Sequence, residues 1–213
     1  MKRKTFTIYA ILLAAIPILV QCSEARSEKE GTKTGSKEAI QTGAQQSNYG
    51  GFKTQLLYGE HLVIIAGCHD CHTPKKMTAH GPEADSSRLL SGHPAKMPPP
   101  DIDRAAFEKK GLAVTQTLTA WTGPWGISYA ANLTSDKTGI GNWQEKNFIT
   151  AMREGKSKGM ANGRMLLPPM PWQHYRHMTD EELKAVFAYL KSTKPVSNVV
   201  PAPQPPVSAN TGK

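Results

Sequence analysis

The residues with the clearest chemistry are Cys68, Cys71 and His72, which follow the pattern C-x-x-C-H. On a helical turn, residues three and four apart share one face, so two thiols and an imidazole can converge on one object. This is the spacing by which a c-type haem is attached to a chain. Each thiol forms a thioether with a haem vinyl group, and the His72 imidazole reaches the iron. The motif therefore predicts one covalent haem c, with its iron, on these three residues.

Three other uses of paired cysteines explain the motif less well. A structural zinc site needs four ligands, commonly as two such pairs, whereas this chain has one C-x-x-C and a single further cysteine, Cys22. A thioredoxin-type pair requires a βαβ context, which the predicted elements lack. A disulfide between Cys68 and Cys71 leaves His72 without a role. Haem attachment is the interpretation that uses all three side chains.

An iron bound by one histidine needs a second protein ligand or keeps an open position, and this choice separates electron carriers from catalysts and sensors. Met170 lies in Leu166-Leu-Pro-Pro-Met-Pro-Trp172, where three prolines stiffen the backbone around the thioether. Such a loop is a poor place for a gap-filling core methionine, so Met170 is the predicted second axial ligand. Other candidates stay open: the thioethers of Met165, Met160 and Met97, and the imidazoles of His174 and His177.

The elements before and after the motif are predicted from apolar spacing and breakers. Apolar residues between Leu56 and Ile65 predict a first helix that leads into Cys68, with a strand over residues 62–66 as the competing interpretation. Residues 73–100 are rich in proline and glycine, which predicts a long irregular loop. Residues 112–118 predict a short extended run.

Capping residues predict two later helices. Asn142, with Glu145 three residues on, is predicted to begin a middle helix that ends at Gly155. Thr179 opens a second capping box, and the helix that follows is expected to stop before Pro195. Between the loop and these helices lie three aromatic residues that are predicted either to pack at the haem edge and bind its propionates or to fill the core: Trp121, Trp125 and Tyr129.

The start of the chain has the composition of an export leader. Three basic residues at positions 2–4 precede an apolar run at 6–20, which is shorter than the roughly 20 residues of a membrane-spanning helix. We therefore expect a signal peptide at 1–21. The sequence Leu19-Val-Gln-Cys22 resembles a bacterial lipoprotein signal, which implies lipidation of Cys22; the alternative is a leader cut elsewhere. The expected location is the periplasmic face of a bacterial membrane, or otherwise the periplasm.

Composition divides the rest of the chain into three parts. Residues 22–50 hold too few apolar residues to fold and are predicted to be a flexible tether. Residues 51–197 are the predicted domain, and residues 198–213 are a proline-rich tail that is predicted either to wrap the surface of the domain or to extend away from it. The formal charge of +9 becomes +6 without the three basic residues of the leader, which favours anionic membrane surfaces or acidic redox partners. No nucleic-acid partner is expected, because no basic-aromatic run is present.

Together these features resemble a class I c-type cytochrome, with C-x-x-C-H after a helix, a proline-flanked Met170, and Leu183-x-x-Val-Phe-x-Tyr-Leu190 in the last helix. The resemblance implies an all-α fold, a helical domain around covalent haem with long irregular loops. It also implies a proline whose carbonyl accepts a hydrogen bond from His72, matched here to Pro82. Three segments more narrowly resemble the cytochrome domains that accompany bacterial membrane dehydrogenases: residues 132–143, 148–155 and 169–172.

The resemblance implies a mono-haem electron carrier rather than an enzyme, with redox proteins as donor and acceptor, either free or as a subunit of a dehydrogenase or oxidase complex. A single haem motif argues against a multihaem subunit and against a di-haem peroxidase. The alternative is a haem-based enzyme subunit or small-ligand sensor with an open sixth iron position. No dedicated distal acid–base pair supports that alternative in the sequence.

Overall fold

The structure, a computed structural model, describes residues 49–210. The predicted signal peptide, Cys22 and nearly all of the predicted tether lie outside the described residues. No helix in 49–210 is long and apolar enough to cross a membrane. Six α-helices and four strands occur in this range: α1 Gln55–Ile65, α2 Cys68–His72, β1 Lys75–Thr78, β2 Gly81–Ala84, α3 Arg104–Lys110, β3 Ala120–Gly123, β4 Gly126–Tyr129, α4 Glu145–Glu154, α5 Trp172–Tyr175 and α6 Asp180–Ser192.

Helix α1 is a helix to its end, so the competing strand over 62–66 is excluded. It begins after Thr54, whose Oγ1 accepts a hydrogen bond from the Leu57 amide at 3.2 Å, as an N-cap does. Gly67 follows the helix with a φ of 67°, a left-handed conformation that glycine adopts without a steric penalty. This turn leads directly into α2, which carries the C-x-x-C-H motif.

Helix α6 has the capping box predicted at Thr179. The Thr179 Oγ1 accepts a hydrogen bond from the Glu182 amide at 3.2 Å, and the Glu182 carboxylate accepts one from the Thr179 amide at 2.6 Å. α6 packs closely against α1, since a Cβ added to Gly59 would lie 2.0 Å from the Ala185 carbonyl oxygen. The apolar core is built mainly from α1, α4 and α6, and its buried members include Leu62, Val63, Phe148, Leu183, Val186 and Leu190.

Helix α4 ends at Gly155 as predicted, with a φ of 66°, but its predicted N-cap is wrong. The N-cap is Gln144 rather than Asn142, and the Asn147 Oδ1 accepts a hydrogen bond from the Gln144 amide at 2.9 Å. The cause is the preceding turn, in which the Trp143 amide donates to the Ile140 carbonyl. That turn continues past Asn142 and delays the helix by two residues.

The all-α prediction needs a correction, because two antiparallel hairpins accompany the helices. β1 pairs with β2, within the segment predicted to be an irregular loop, and β3 pairs with β4. Glycine permits both tight reversals, with φ of 106° at Gly81 and 94° at Gly126. The extended run predicted at 112–118 contributes one bridge, between Val114 and Thr122.

The predicted tail packs against the domain, which agrees with the alternative that it wraps the surface. We call residues 196–207 the C-terminal strap. The Gln204 and Ile127 backbones exchange two hydrogen bonds of 3.0 and 2.9 Å, which place the strap beside β4. Farther along, the Val207 amide donates to the Glu108 carboxylate of α3 at 2.9 Å. The strap therefore crosses the β3–β4 hairpin and reaches α3.

Candidate haem site

One cavity brings together the sequence-predicted ligands Cys68, Cys71, His72 and Met170. Its empty volume is about 1270 Å³, including space open to solvent. The first three side chains come from α2, and Met170 comes from the loop before α5. Most of the other lining residues are apolar. They include residues of α4 and α6, such as Phe148, Met152, Leu183 and Val186, and residues of the connecting segments, such as Leu133 and Met178.

The two thiols lack the lowered pKa that is typical of a redox pair. Neither Cys68 nor Cys71 is in a disulfide. Burial raises the pKa of the Cys68 thiol to about 11, and burial also raises the pKa of Cys71. Thioredoxin-type cysteines have a lowered pKa, so this alternative loses support. In residues 49–210 no group of three or more His, Cys, Asp or Glu side chains is placed so that it could hold a metal ion.

The His72 imidazole is buried, with 8% of its surface exposed. Its Nδ1 lies 2.8 Å from the Ala131 carbonyl oxygen. Because a carbonyl can only accept, Nδ1 carries the hydrogen, which leaves Nε2 as the nitrogen with a lone pair for iron. Burial lowers the pKa of His72, and the bond to Ala131 opposes that effect. The neutral tautomer suited to coordination is therefore favoured.

The prediction of Pro82 as the acceptor is wrong. Pro82 is exposed in β2, where it pairs with Met77, and the acceptor is Ala131. Every residue has a backbone carbonyl, so the acceptor need not be a proline. Sequence reasoning missed Ala131 because no side-chain type marks a carbonyl that points at a histidine.

Two backbone segments hold His72 in place, and we call residues 90–93 and 130–133 together the His72 clamp. The Gly92 amide donates to the His72 carbonyl at 2.8 Å, and Ala131 accepts from its ring. The two segments are tied to each other, since the His93 amide donates to the Ala130 carbonyl at 2.9 Å. Both the backbone and the ring of His72 are thus held by main-chain groups.

The rival iron ligands do not line the cavity. Met160 and Met165 are 57% and 43% exposed, in the loop after α4, and His174 and His177 are exposed near α5. Met97 is 36% exposed and is also absent from the lining. Two methionines that sequence reasoning did not assign as ligands, Met152 and Met178, do line it.

The loop that carries Met170, residues 166–171, is fastened to the β3–β4 hairpin by a chain of hydrogen bonds. We call it the Met170 loop. The Ser128 hydroxyl donates to the Pro168 carbonyl at 2.6 Å, and the Trp125 indole donates to the Ser128 oxygen at 3.1 Å. Trp125 therefore supports the loop from outside the cavity lining. Trp121 and Tyr129 do line the cavity. The indole N–H of Trp121 donates a hydrogen bond to the Leu118 carbonyl at 3.0 Å.

Tyr175 is a cavity residue that the sequence did not single out. Its hydroxyl donates to the Ala66 carbonyl at 2.6 Å, which ties α5 to the turn before α2. Burial raises the pKa of this phenol to about 12, so it stays protonated and keeps its donor role. A covalently attached haem fits this set of groups. They are the two thiols, the imidazole, the thioether, the apolar walls and the end of α1 that Tyr175 holds.

Comparisons with known proteins agree with this chemistry. The cytochrome c family model matches residues 126–194, which include Met170 and α6 but begin after the C-x-x-C-H motif. The chain is 31% identical over 150 residues to the fructose dehydrogenase cytochrome subunit of Gluconobacter japonicus, across 70% of this chain and 23% of that protein.

Two further relatives share shorter stretches. One of the nicotinate dehydrogenase subunits of Pseudomonas putida is 43% identical over 82 residues, which are 38% of this chain and 7% of that protein. The gluconate 2-dehydrogenase cytochrome c subunit of Pantoea cypripedii is 43% identical over 67 residues, 31% of this chain and 14% of that protein. The chain thus spans less than a quarter of the length of each of these relatives.

Proposed function

Because this chain is a c-type cytochrome of the kind associated with bacterial dehydrogenases, we propose that it carries single electrons through one covalent haem c. One observation carries the proposal: the two thiols, the imidazole and a thioether, from segments 98 residues apart, line one cavity. Cys68 and Cys71 would form the thioethers, and His72 and Met170 would be the axial ligands. The haem iron supplies one-electron exchange between its ferric and ferrous states.

The protein's own contribution is to hold and shield these ligands. Each thiol would add across a vinyl double bond of the haem, with the thiol hydrogen passing to the neighbouring carbon, so that attachment by Cys68 and Cys71 would consume no oxidant. The bond to Ala131 keeps the hydrogen of His72 on Nδ1 and leaves Nε2 for the iron. The prolines around Met170 and the Ser128–Pro168 bond limit the movement of the thioether. With both ligands retained in each oxidation state, little rearrangement accompanies a transfer.

The proposed ligand pair also sets the direction of the reduction potential. Methionine opposite histidine raises the potential relative to two histidines. The apolar lining acts in the same direction, because a buried ferric haem carries a net charge that an apolar cavity solvates poorly. We therefore propose a relatively high-potential carrier rather than a low-potential one.

The proposed partners are redox proteins in the periplasm. The names of the relatives place their cytochrome subunits with dehydrogenases, so we propose a membrane dehydrogenase as the class of electron donor and a second redox protein as acceptor. The excess of basic residues favours acidic docking surfaces on those partners. A lipid on Cys22 would keep the carrier at the membrane. Metabolic labelling with a fatty acid tests this anchor, since Cys22→Ala is expected to abolish labelling and release the protein.

The decisive experiment compares Met170→Ala with Met165→Ala in the purified ferric protein. Wild type and Met165→Ala, whose side chain is exposed in the same region, are expected to be low-spin with a methionine–iron charge-transfer band. Met170→Ala is expected to lose that band while mass spectrometry still shows one covalent haem. A wild-type haem that is high-spin and binds carbon monoxide readily would refute the carrier and support the enzyme or sensor alternative. Loss of the band in Met152→Ala or Met178→Ala instead would reassign the ligand.

A further inference from the structure

The C-terminal strap places one buried polar side chain, Asn198, against the His72 clamp. Asn198 is 5% exposed. Its Nδ2 donates to the carbonyls of Ser91 and His93 at 2.7 and 2.9 Å. Its Oδ1 accepts from the Ala95 amide at 3.0 Å. One side chain thus binds three main-chain groups in or next to the first clamp segment.

The same part of the strap is bonded to the second clamp segment. Asn132, directly after Ala131, is 4% exposed, and its Nδ2 donates to the Val196 carbonyl at 2.8 Å. Thr138 joins the two asparagines. Its Oγ1 accepts a hydrogen bond from the backbone amide of Asn198 at 2.9 Å and one from the side-chain Nδ2 of Asn132 at 3.1 Å. The strap therefore bridges the two segments that hold His72.

We propose that Asn198 is a positioning residue for His72, acting through the clamp. It fixes the Ser91–His93 backbone, whose Gly92 amide binds the His72 carbonyl, relative to the segment that presents the Ala131 carbonyl to Nδ1. The tail would on this view support the haem site as well as wrap the surface of the domain. The inference rests on the proposed function, because it assigns Asn198 an effect on the iron through its histidine ligand.

The expected effect follows from the Nδ1 hydrogen bond. A strong bond from Nδ1–H to a carbonyl makes the imidazole a better donor and favours ferric iron. If the His72 clamp loosens, the hydrogen bond from His72 Nδ1 to Ala131 lengthens, and the ferrous state becomes more stable relative to the ferric state. We expect Asn198→Ala to raise the ferrous-to-ferric ratio about threefold at the wild-type midpoint potential. Removing a group that hydrogen-bonds a metal ligand alters metal affinity by roughly 10–100-fold, and Asn198 is one step farther from the iron.

The test measures two properties of the holoprotein: the midpoint potential by redox titration, and the NMR shift of the His72 Nδ1 proton in the reduced state. Asn198→Ala and Asn198→Asp are the test variants. The aspartate loses both donors and sets a carboxylate against the Ser91 and His93 carbonyls, so its effect is expected to be at least as large. Val199→Ala is the matched control, because Val199 is the next strap residue and is 70% exposed.

Movement of both properties in the Asn198 variants, and of neither in the control, supports the proposal. Folded Asn198 variants with a lower melting temperature but an unchanged potential and proton shift overturn it, since a merely structural role predicts that outcome. If the Asn198 variants do not fold, Thr138→Val decides in their place, because it removes the shared acceptor in a near-isosteric change. A wild type without haem on His72 refutes the proposed function and this inference together, whereas a normal wild type with unmoved variants refutes the inference alone.

Discussion

Replacing Gly92 by alanine measures how rigidly the backbone holds His72. Gly92 has a φ of 75°, and its amide donates to the His72 carbonyl at 2.8 Å. A Cβ at this position would lie 2.5 Å from the Ala130 carbonyl oxygen. Gly111 provides a matched control, because it has a similar φ of 67° and nothing within 4 Å of its added Cβ. The two substitutions share the left-handed strain and differ in the collision.

A left-handed conformation costs an alanine about 1–2 kcal/mol, which is the whole expected loss of unfolding free energy for Gly111→Ala. Forcing an extra carbon into packed surroundings costs a further ~1–3 kcal/mol. The opposing atoms at Gly92 are backbone, so they cannot swing aside as a flexible side chain can. We therefore expect Gly92→Ala to lose about 2–5 kcal/mol.

Guanidinium chloride unfolding of the ferric holoproteins measures both losses, and equal slopes against denaturant would show that the comparison is between like transitions. We expect a clearly larger loss of unfolding free energy for Gly92→Ala than for Gly111→Ala. Equal losses would refute it, because they would mean that the clamp yields to the added methyl group without resistance. The His72 Nδ1 proton shift would then be expected to stay at its wild-type value as well.

Two further predictions concern the supports of the domain. Thr179→Ala removes the side-chain N-cap of α6 and leaves the Glu182 backbone amide without its acceptor, so thermal unfolding should show a loss of about 1 kcal/mol. The Ser87 hydroxyl, and then Lys76, lower the pKa of the Asp85 carboxyl to about 2, and the Lys76–Asp85 ion pair spans 2.9 Å. Because this pKa is below its unfolded value of about 3.9, the stabilisation is present above about pH 4 and is lost as the pH falls toward 2. The melting temperature of Asp85→Asn should therefore be lower than that of the wild type at neutral pH. The two melting temperatures should converge at the acid end of that range.

Local signals account for the features that could be predicted. The C-x-x-C-H motif and the Thr179 capping box are read over four or five residues, and their geometry follows from one helical turn. The end of α4 at Gly155 is equally local, since a left-handed residue there favours glycine. The Asn142 cap failed for a reason beyond that range, because the turn at Ile140 competes for the same residues.

The hairpins and the strap had no comparable signal. β1 and β2 are four residues each and expose much of their surface, so they show no apolar alternation. The strap's bonds to the clamp join residues as far apart as Asn198 and Ser91, 107 positions in sequence. No short window contains both partners, and the proline content of the tail by itself indicates only an extended backbone.

At this site the sequence could predict groups that belong to side chains, and it could not predict groups that belong to the main chain. Thiols, an imidazole and a thioether belong to particular residue types, so the sequence can point to them as candidate ligands through the C-x-x-C-H spacing and the prolines around Met170. The groups that hold His72 are the Gly92 amide and the Ala131 carbonyl, which are main-chain groups that no side-chain type marks in the sequence. A variant altered at Asn198 would therefore keep the complete C-x-x-C-H motif and its haem while its potential moved. The motif indicates which group is bound, and the clamp and strap would tune the reduction potential of its iron.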